Sequence, residues 1–256
     1  MSPAHRRRLL PLDLLAPSLA VIAAAWIPAA TWERVKTKPK ERVLQVTGSA
    51  KRRIVSDTIE WTAHVDTRDV DRVTAYRKLH VDVEKTVAYL VAQGIARDQI
   101  RVSSASLQEL TRSEVVGSGE ERYERQVADG FAAGQAITVR STDVAVVERV
   151  SREVTQLLEG GISVDSSTPA YFYTGLGELK IEMLAEASAD ARLRAEKVVE
   201  AAGGASVGRL RSADMGVINI NPPNSTSTSW DGNNDTTSFE KDIITIVHTS
   251  FELDDL

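Results

Sequence analysis

GELKIEMLAEASADARLRAEKVVEAAGG, running from Gly177 to Gly204, reads as one long helix. On a 3.6-residue period Met183, Ala187, Ala191, Ala195, Val198 and Ala202 trace one stripe, while Glu182, Glu186, Asp190, Arg194 and Lys197 fall on the other faces. Asp190 and Arg194 form a favourable i,i+4 pair, and Glu182 and Glu186 a like-charge one. Alanine has the highest helix propensity and the smallest side chain that a helix can carry, so this stripe lets the backbone approach a sheet or another helix closely. The stretch describes a packing element, not a catalyst.

Upstream, VLQVTGSAKRRIVSDTIEWTAHVDT reads as two strands joined by a polar, glycine-containing connection. In the second, Ile59, Trp61, Ala63 and Val65 alternate with polar residues, the period of a half-buried strand. Asp69 or Asp71 can cap a helix with the stripe Val73, Tyr76, Leu79, Val83, Val87 and Leu90, ending near Gly94. A strand follows near Ile100, and then the polar excursion TRSEVVGSGEERYERQVADG. From Gly130 the rhythm repeats: a strand, a helix capped at Thr142 with the stripe Val144, Val147, Val150, Val154 and Leu157, and another strand. After the long helix come Gly208–Ile220, the Ser/Thr/Asn-rich loop NPPNSTSTSWDGNNDTTS and the strand DIITIVHTSFEL. The expected fold class is α+β, with two strand/helix units and a long third helix.

Residues 1–40 hold seven Lys/Arg and two Asp/Glu, leaving 24 against 34 in the remainder, about −10. An acidic body disfavours nucleic-acid partners, whose phosphates are bound mainly by Lys and Arg. At the N-terminus, arginines 6–8 precede the apolar run Leu9–Trp32, long enough to cross a bilayer. The expected organisation is a cytoplasmic basic tip and transmembrane anchor over 1–32, a linker over 33–41, an α+β domain over 42–253 and an acidic tail over 254–256. An Ala-x-Ala pattern within Ala23–Trp26 keeps open a cleaved signal peptide and a secreted or periplasmic product.

The chemistry-bearing motifs are sparse. Cysteine is absent, which removes disulfides, thiol nucleophiles and cysteine metal sites. His5, His64, His80 and His248 form no ligand pair on a shared helix face, although His64 and His248 could meet across a sheet. No nucleophile elbow, phosphate loop or dinucleotide fingerprint occurs, and Gly117-Ser118-Gly119 is a flexible link. Asp231, Asn233, Asp235 and Asp242 match oxygen positions of a calcium loop, but Thr236 stands where the sharp turn needs glycine. The expectation is therefore no enzyme, no cofactor and no metal.

Four stretches in order resemble the SIMPL domain family: VTGSA at Val46–Ala50, GIARDQIRVSS at Gly94–Ser104, GFAAGQAITVRSTDVAVV at Gly130–Val147 and EASADARLRAEKVVEAAGG at Glu186–Gly204. Members usually carry tyrosine where this chain has Phe131, and the resemblance covers roughly Glu41 to Leu253. It implies a two-part α+β ectodomain of a bacterial envelope protein, with some relatives assembling into large homo-oligomeric rings and no agreed catalytic residues. The acidic excursion 111–129 and the apparent anchor are departures from that pattern.

Two functions follow as expectations. The first is a single-pass inner-membrane protein with its C-terminal domain outside the cytoplasm, self-associating through that domain. The second is a small-ligand or cell-wall-glycan binding module, and a hydrolase ranks third. The candidate contact residues are Trp61, Phe131, Tyr171, Tyr173, Ala187, Ala191, Ala195 and Trp230, the last either tucked onto the body or presented to a partner.

Overall fold

A computed structural model describes residues 42–117 and 122–255. In chain order the elements are β1 (Val43–Val55), β2 (Thr58–Asp69), α1 (Arg72–Ala92), β3 (Ile100–Val102), β4 (Ser106–Val116), β5 (Tyr123–Ser141) and α2 (Val144–Glu153). They continue with β6 (Val164–Ser166), β7 (Ala170–Phe172), α3 (Leu176–Ala202), β8 (Ala205–Met215), β9 (Asn219–Asn221) and β10 (Glu240–Asp255). The strands form two antiparallel sheets, one in the order β1-β10-β8 with β9 beside β10, the other in the order β3-β5-β2-β6 with β4 on β5 and β7 on β2.

The long helix α3 lies on the first sheet. Leu179, Met183, Ala187, Ala191, Ala195 and Val199 are buried, so its stripe ends at Val199 where the spacing suggested Val198. Gly48 sets the approach. It lies in the middle of β1, not in a turn, and the connection to β2 is Ser56–Asp57. A Cβ on Gly48 would stand 2.5 Å from the backbone N of Ala191 and 2.6 Å from its Cβ, and closer still to the carbonyl oxygen of Ala187. Glycine in this strand thus marks a place where two backbones meet.

The same helix covers the open edge of β1. The Ser49 N–H donates to Asp190 Oδ2 at 2.8 Å, and Arg194, paired with Asp190 at 2.9 Å, reaches the Thr47 carbonyl at 3.4 Å. The Ser49 amide and then the Arg194 guanidinium hold the Asp190 carboxyl below its usual range, against the opposing effect of burial. A carboxylate and a guanidinium here take the place of the neighbouring strand's acceptor and donor, and so blunt an edge that would otherwise pair with another chain.

The second sheet carries α1 and α2 over the apolar face formed by Ile59, Trp61, Ala63 and Val65 of β2 with Ile137 and Val139 of β5. The α1 stripe is Ala75, Leu79, Val83, Thr86 and Leu90, whereas Val73 and Tyr76 are exposed. Asp71 caps α1 by accepting from Thr74 N at 2.7 Å, and Asp143, one residue after the expected Thr142, caps α2. The polar excursion after Leu110 is not a loop: β4 and β5 pair through it in an antiparallel ribbon. Charged side chains along both strands, including Arg125 to Glu114 at 3.2 Å, keep that ribbon water-compatible.

Three expectations are corrected. The transmembrane span Leu9–Trp32 and the linker 33–41 lie outside the described residues, and among the described residues no helix is long and apolar enough to cross a membrane. The anchored α+β architecture is therefore reduced to its α+β domain. The acids of the expected tail at 254–256 belong in part to β10, which runs to Asp255. His64 and His248 stand in different sheets, so they do not meet.

Between β1 and β10 lies a buried charge. The Asp242 carboxylate accepts from Arg53 at 2.9 and 3.2 Å, from Lys51 at 2.9 Å and from Asn224 N at 2.7 Å. The Arg53 bonds foremost hold its carboxyl far below the usual carboxylate range. The native chain binds this proton more weakly than the unfolded chain, so the stabilisation is complete above about pH 4 and is lost as pH falls toward the depressed native value.

Two outcomes are expected in urea unfolding. Gly48→Ala destabilises the protein by about 3 kcal/mol, because the added methyl meets helix backbone and no side chain can swing away. Asp242→Asn costs about 2 kcal/mol at neutral pH, and its gap from wild type narrows as the medium is acidified below about pH 4. A gap independent of pH would sink the assignment of acid sensitivity to Asp242.

Candidate ligand-binding groove

Strand alternation leaves one face of the first sheet without a helix. Residues of β10 that point at α3 include Ile243, Val247 and Phe251, so Ile246, His248 and Ser250 point the other way. Register then aligns two polar rows across three strands: Thr47, His248 and Asp214 in one, and Gln45, Ser250 and Ser212 in the next. Thr47 Oγ1 and His248 Nδ1 share a hydrogen bond of 3.0 Å, which fixes the imidazole over the middle strand. These six side chains line a hollow of about 430 Å³.

Thr47 and His248 also border a second hollow of about 290 Å³, whose other walls are Ile246, Val217, Asn219, Ser229 and Trp230. Both hollows thus border the Thr47–His248 pair, one on the side of Asp214 and Ser250 and the other on the side of Trp230, and are together called the groove.

Trp230 comes from the loop between β9 and β10, and polar side chains on β9 hold that loop in place. Asn219 Oδ1 accepts from Ser229 N at 2.8 Å and from Asn233 N at 3.1 Å, one bond before and one after Trp230. Asn221 bonds the Ser227 carbonyl at 2.7 Å and Asn233 Nδ2 at 2.8 Å. Backbone bonds of Ile220 with Asn233 and Asp235 add a short bridge. The loop composition read as a solvent excursion, and in the structure it is tied on both sides of its tryptophan. Trp230 itself is 92% exposed. It does not tuck onto the body.

The other aromatic candidates lie elsewhere. Trp61 is 1% exposed in the second core, where its Nε1 donates to Ser166 Oγ at 2.9 Å, so it offers no surface. Tyr171 is buried with its hydroxyl on Glu148 at 3.0 Å and its ring edge-on to Phe239. Burial, reinforced by Glu148, raises the Tyr171 phenol above its ordinary value. Tyr173 packs on the first core and Phe131 on the second. None of these aromatics lines the hollow beside Trp230.

Ala187, Ala191 and Ala195 are fully buried beneath the protein's own sheet and present no face to a second copy. Among the described residues no helix is long and apolar enough to cross a membrane, so the membrane-anchored scaffold and its inner-membrane topology are set aside. The calcium-loop positions are engaged separately: Asn233 with Asn221, Asp235 with Thr237, and Asp242 with Arg53 and Lys51. Among the described residues no group of three or more His, Cys, Asp or Glu converges to hold a metal ion.

Sequence reasoning missed Gln45, Thr47, Ser212 and Asp214. The alternation in VLQVTGS already places Gln45 and Thr47 on one face, but their partners come from strands more than 160 residues away. Only the strand order brings them together.

The family described as SIMPL, protein of unknown function (DUF541), matches residues 44–248. No curated protein matches the chain. The match spans both sheets and the three described α-helices, and it includes Thr47, Asp214, Trp230 and His248.

The loop anchoring is testable alone. Asn219→Ala removes the acceptor of two loop amides, and hydrogen exchange at Ser229 and Asn233 is expected to quicken by about tenfold or more, with α3 unaffected. Unchanged exchange at both amides would show that the loop is held by other bonds.

Proposed function

Because the chain belongs to the SIMPL family, for which no activity is described, we propose that it is a non-enzymatic binding module that holds a small polar ligand in the groove beside His248. It works as a periplasmic or secreted protein, the compartment suggested by the family resemblance. The observation that carries the reading is Trp230: a large aromatic ring almost wholly in water, on a loop pinned at both sides, at the wall of a largely apolar hollow that adjoins the polar pair Thr47 and His248. Ligand sites combine apolar contact area with a few fixed polar groups, and aromatic rings with one wet face are enriched where partners dock.

The reading differs from a catalytic one in what it asks of the residues. The hydroxyl beside the imidazole is that of Thr47, at 3.0 Å from Nδ1, and Asp214 stands across from His248 in register, but among the described residues no hydrogen bond links His248 to Asp214 as the third group that would orient a catalytic base. Holding a ligand needs only that these side chains keep their places.

Ligand-observed NMR with a mixed set of sugars, amino acids and polyamines tests the proposal on the full chain. At least one compound is expected to bind wild type and to lose about tenfold in affinity on Trp230→Ala, with the thermal midpoint unchanged because the side chain packs on nothing. Binders indifferent to both Trp230→Ala and His248→Ala would move the site away from this groove.

A further inference from the structure

We infer that the ligand is a neutral sugar ring, stacked on Trp230 and hydrogen-bonded along the row of Thr47, His248 and Asp214, an assignment that rests on the groove being the binding site. The indole plane is presented in water by a backbone that is already ordered, so a flat partner gains contact area without first having to immobilise the loop. A pyranose ring offers such a partner in its C–H face, while its edge carries hydroxyls that need hydrogen bonds.

The floor of the groove meets those hydroxyls in kind. A sugar hydroxyl donates and accepts at once, and so do side chains that line the floor: the hydroxyls of Thr47 and Ser250 and the amide of Gln45, beside the ring nitrogens of His248. An apolar ligand would bury these groups without partners and forfeit the hydrogen bonds that they make to water.

Charge excludes the other large class. Neither hollow is lined by a lysine or an arginine, the one charged side chain among their lining residues is Asp214, and Arg194, which reaches the Thr47 carbonyl at the edge of β1, is paired with Asp190. Lys51 and Arg53, further along the same face of β1, are both bonded to Asp242. Phosphate and carboxylate ligands are recognised by cationic donors, and here a phosphorylated sugar meets Asp214 instead. Asp214 is at the same time a strong acceptor for a hydroxyl pair on a neutral ring.

Calorimetric titration of the full chain with tri-N-acetylchitotriose, maltotriose and glucose 6-phosphate tests the assignment. The expected result is binding of at least one neutral trisaccharide, a loss of about tenfold or more on Trp230→Ala, and retention of most affinity in Trp230→Phe, which keeps a stacking face. Glucose 6-phosphate is expected to bind at least tenfold more weakly than the neutral sugar, and Asp214→Lys to narrow that difference. Equal or tighter binding of the phosphorylated sugar overturns the assignment. So does an amine or amino acid that binds in a Trp230-dependent way while both trisaccharides fail, and that result leaves groove binding standing. Absence of any Trp230-dependent ligand overturns both readings.

Discussion

The distance between Gly48 and the helix above it governs the rest of this molecule. Because β1 has no side chain at that point, the backbone of α3 settles onto the sheet at Ala187 and Ala191. That depth brings Asp190 and Arg194 down to the edge of β1, where they bond Ser49 and Thr47. The neighbouring residue Thr47, facing the other way, then sits in register with His248 and holds it. One missing methyl thus sets both the packing on the covered face and the polar row on the open one. Interiors pack at crystal-like density, so such a contact tolerates little adjustment.

The two sheets are joined where β10 begins. Lys241 is buried, and its ammonium donates to the carbonyl of Tyr171 at 2.7 Å and to that of Asp235. Burial lowers its affinity for a proton, while the Asp235 charge opposes the change. On the other side of the junction Ser56 N bonds the Phe239 carbonyl, and Asp57 receives both the amide and the hydroxyl of Thr174. Burial of Asp57 works against its ionisation, but the Thr174 bonds outweigh it and hold the carboxyl below its ordinary range. The short connection between β1 and β2 is therefore fixed from both flanks, and the groove faces away from it on a sheet anchored at one end.

Local patterns were legible wherever one physical rule decided the outcome. Alternation placed Ile59, Trp61, Ala63 and Val65 inward, and the 3.6 period found the alanines of α3. The errors came where two rules compete. Gly48 read as a turn because glycine commonly marks one, and only the helix opposite reveals it as a contact point. The β4–β5 ribbon read as a loop because it has no buried face, which removes the alternation on which strand recognition depends. Buried aromatics such as Trp61 were candidate contacts for the same reason that they are good core residues. Trp230 was visible as an isolated aromatic, but the groove beside it required a strand order that no local pattern contains.

The middle strand of the first sheet is also the last of the described strands in chain order. Among the described residues β1 pairs only with β10, and Thr47 finds His248 201 positions further along the chain. The strands of the second sheet, from Thr58 to Phe172, lie wholly between them and make their pairs at shorter range. Closing a long loop has an entropic cost before any contact offsets it, and contacts distant in sequence form late. On a ribosome, the second sheet can therefore assemble while β1 is still waiting, its edge unpaired, for a strand that has not been made. The groove is completed only when β10 has been made, so a chain cut short before Glu240 has neither the middle strand of the first sheet nor His248 to offer a ligand.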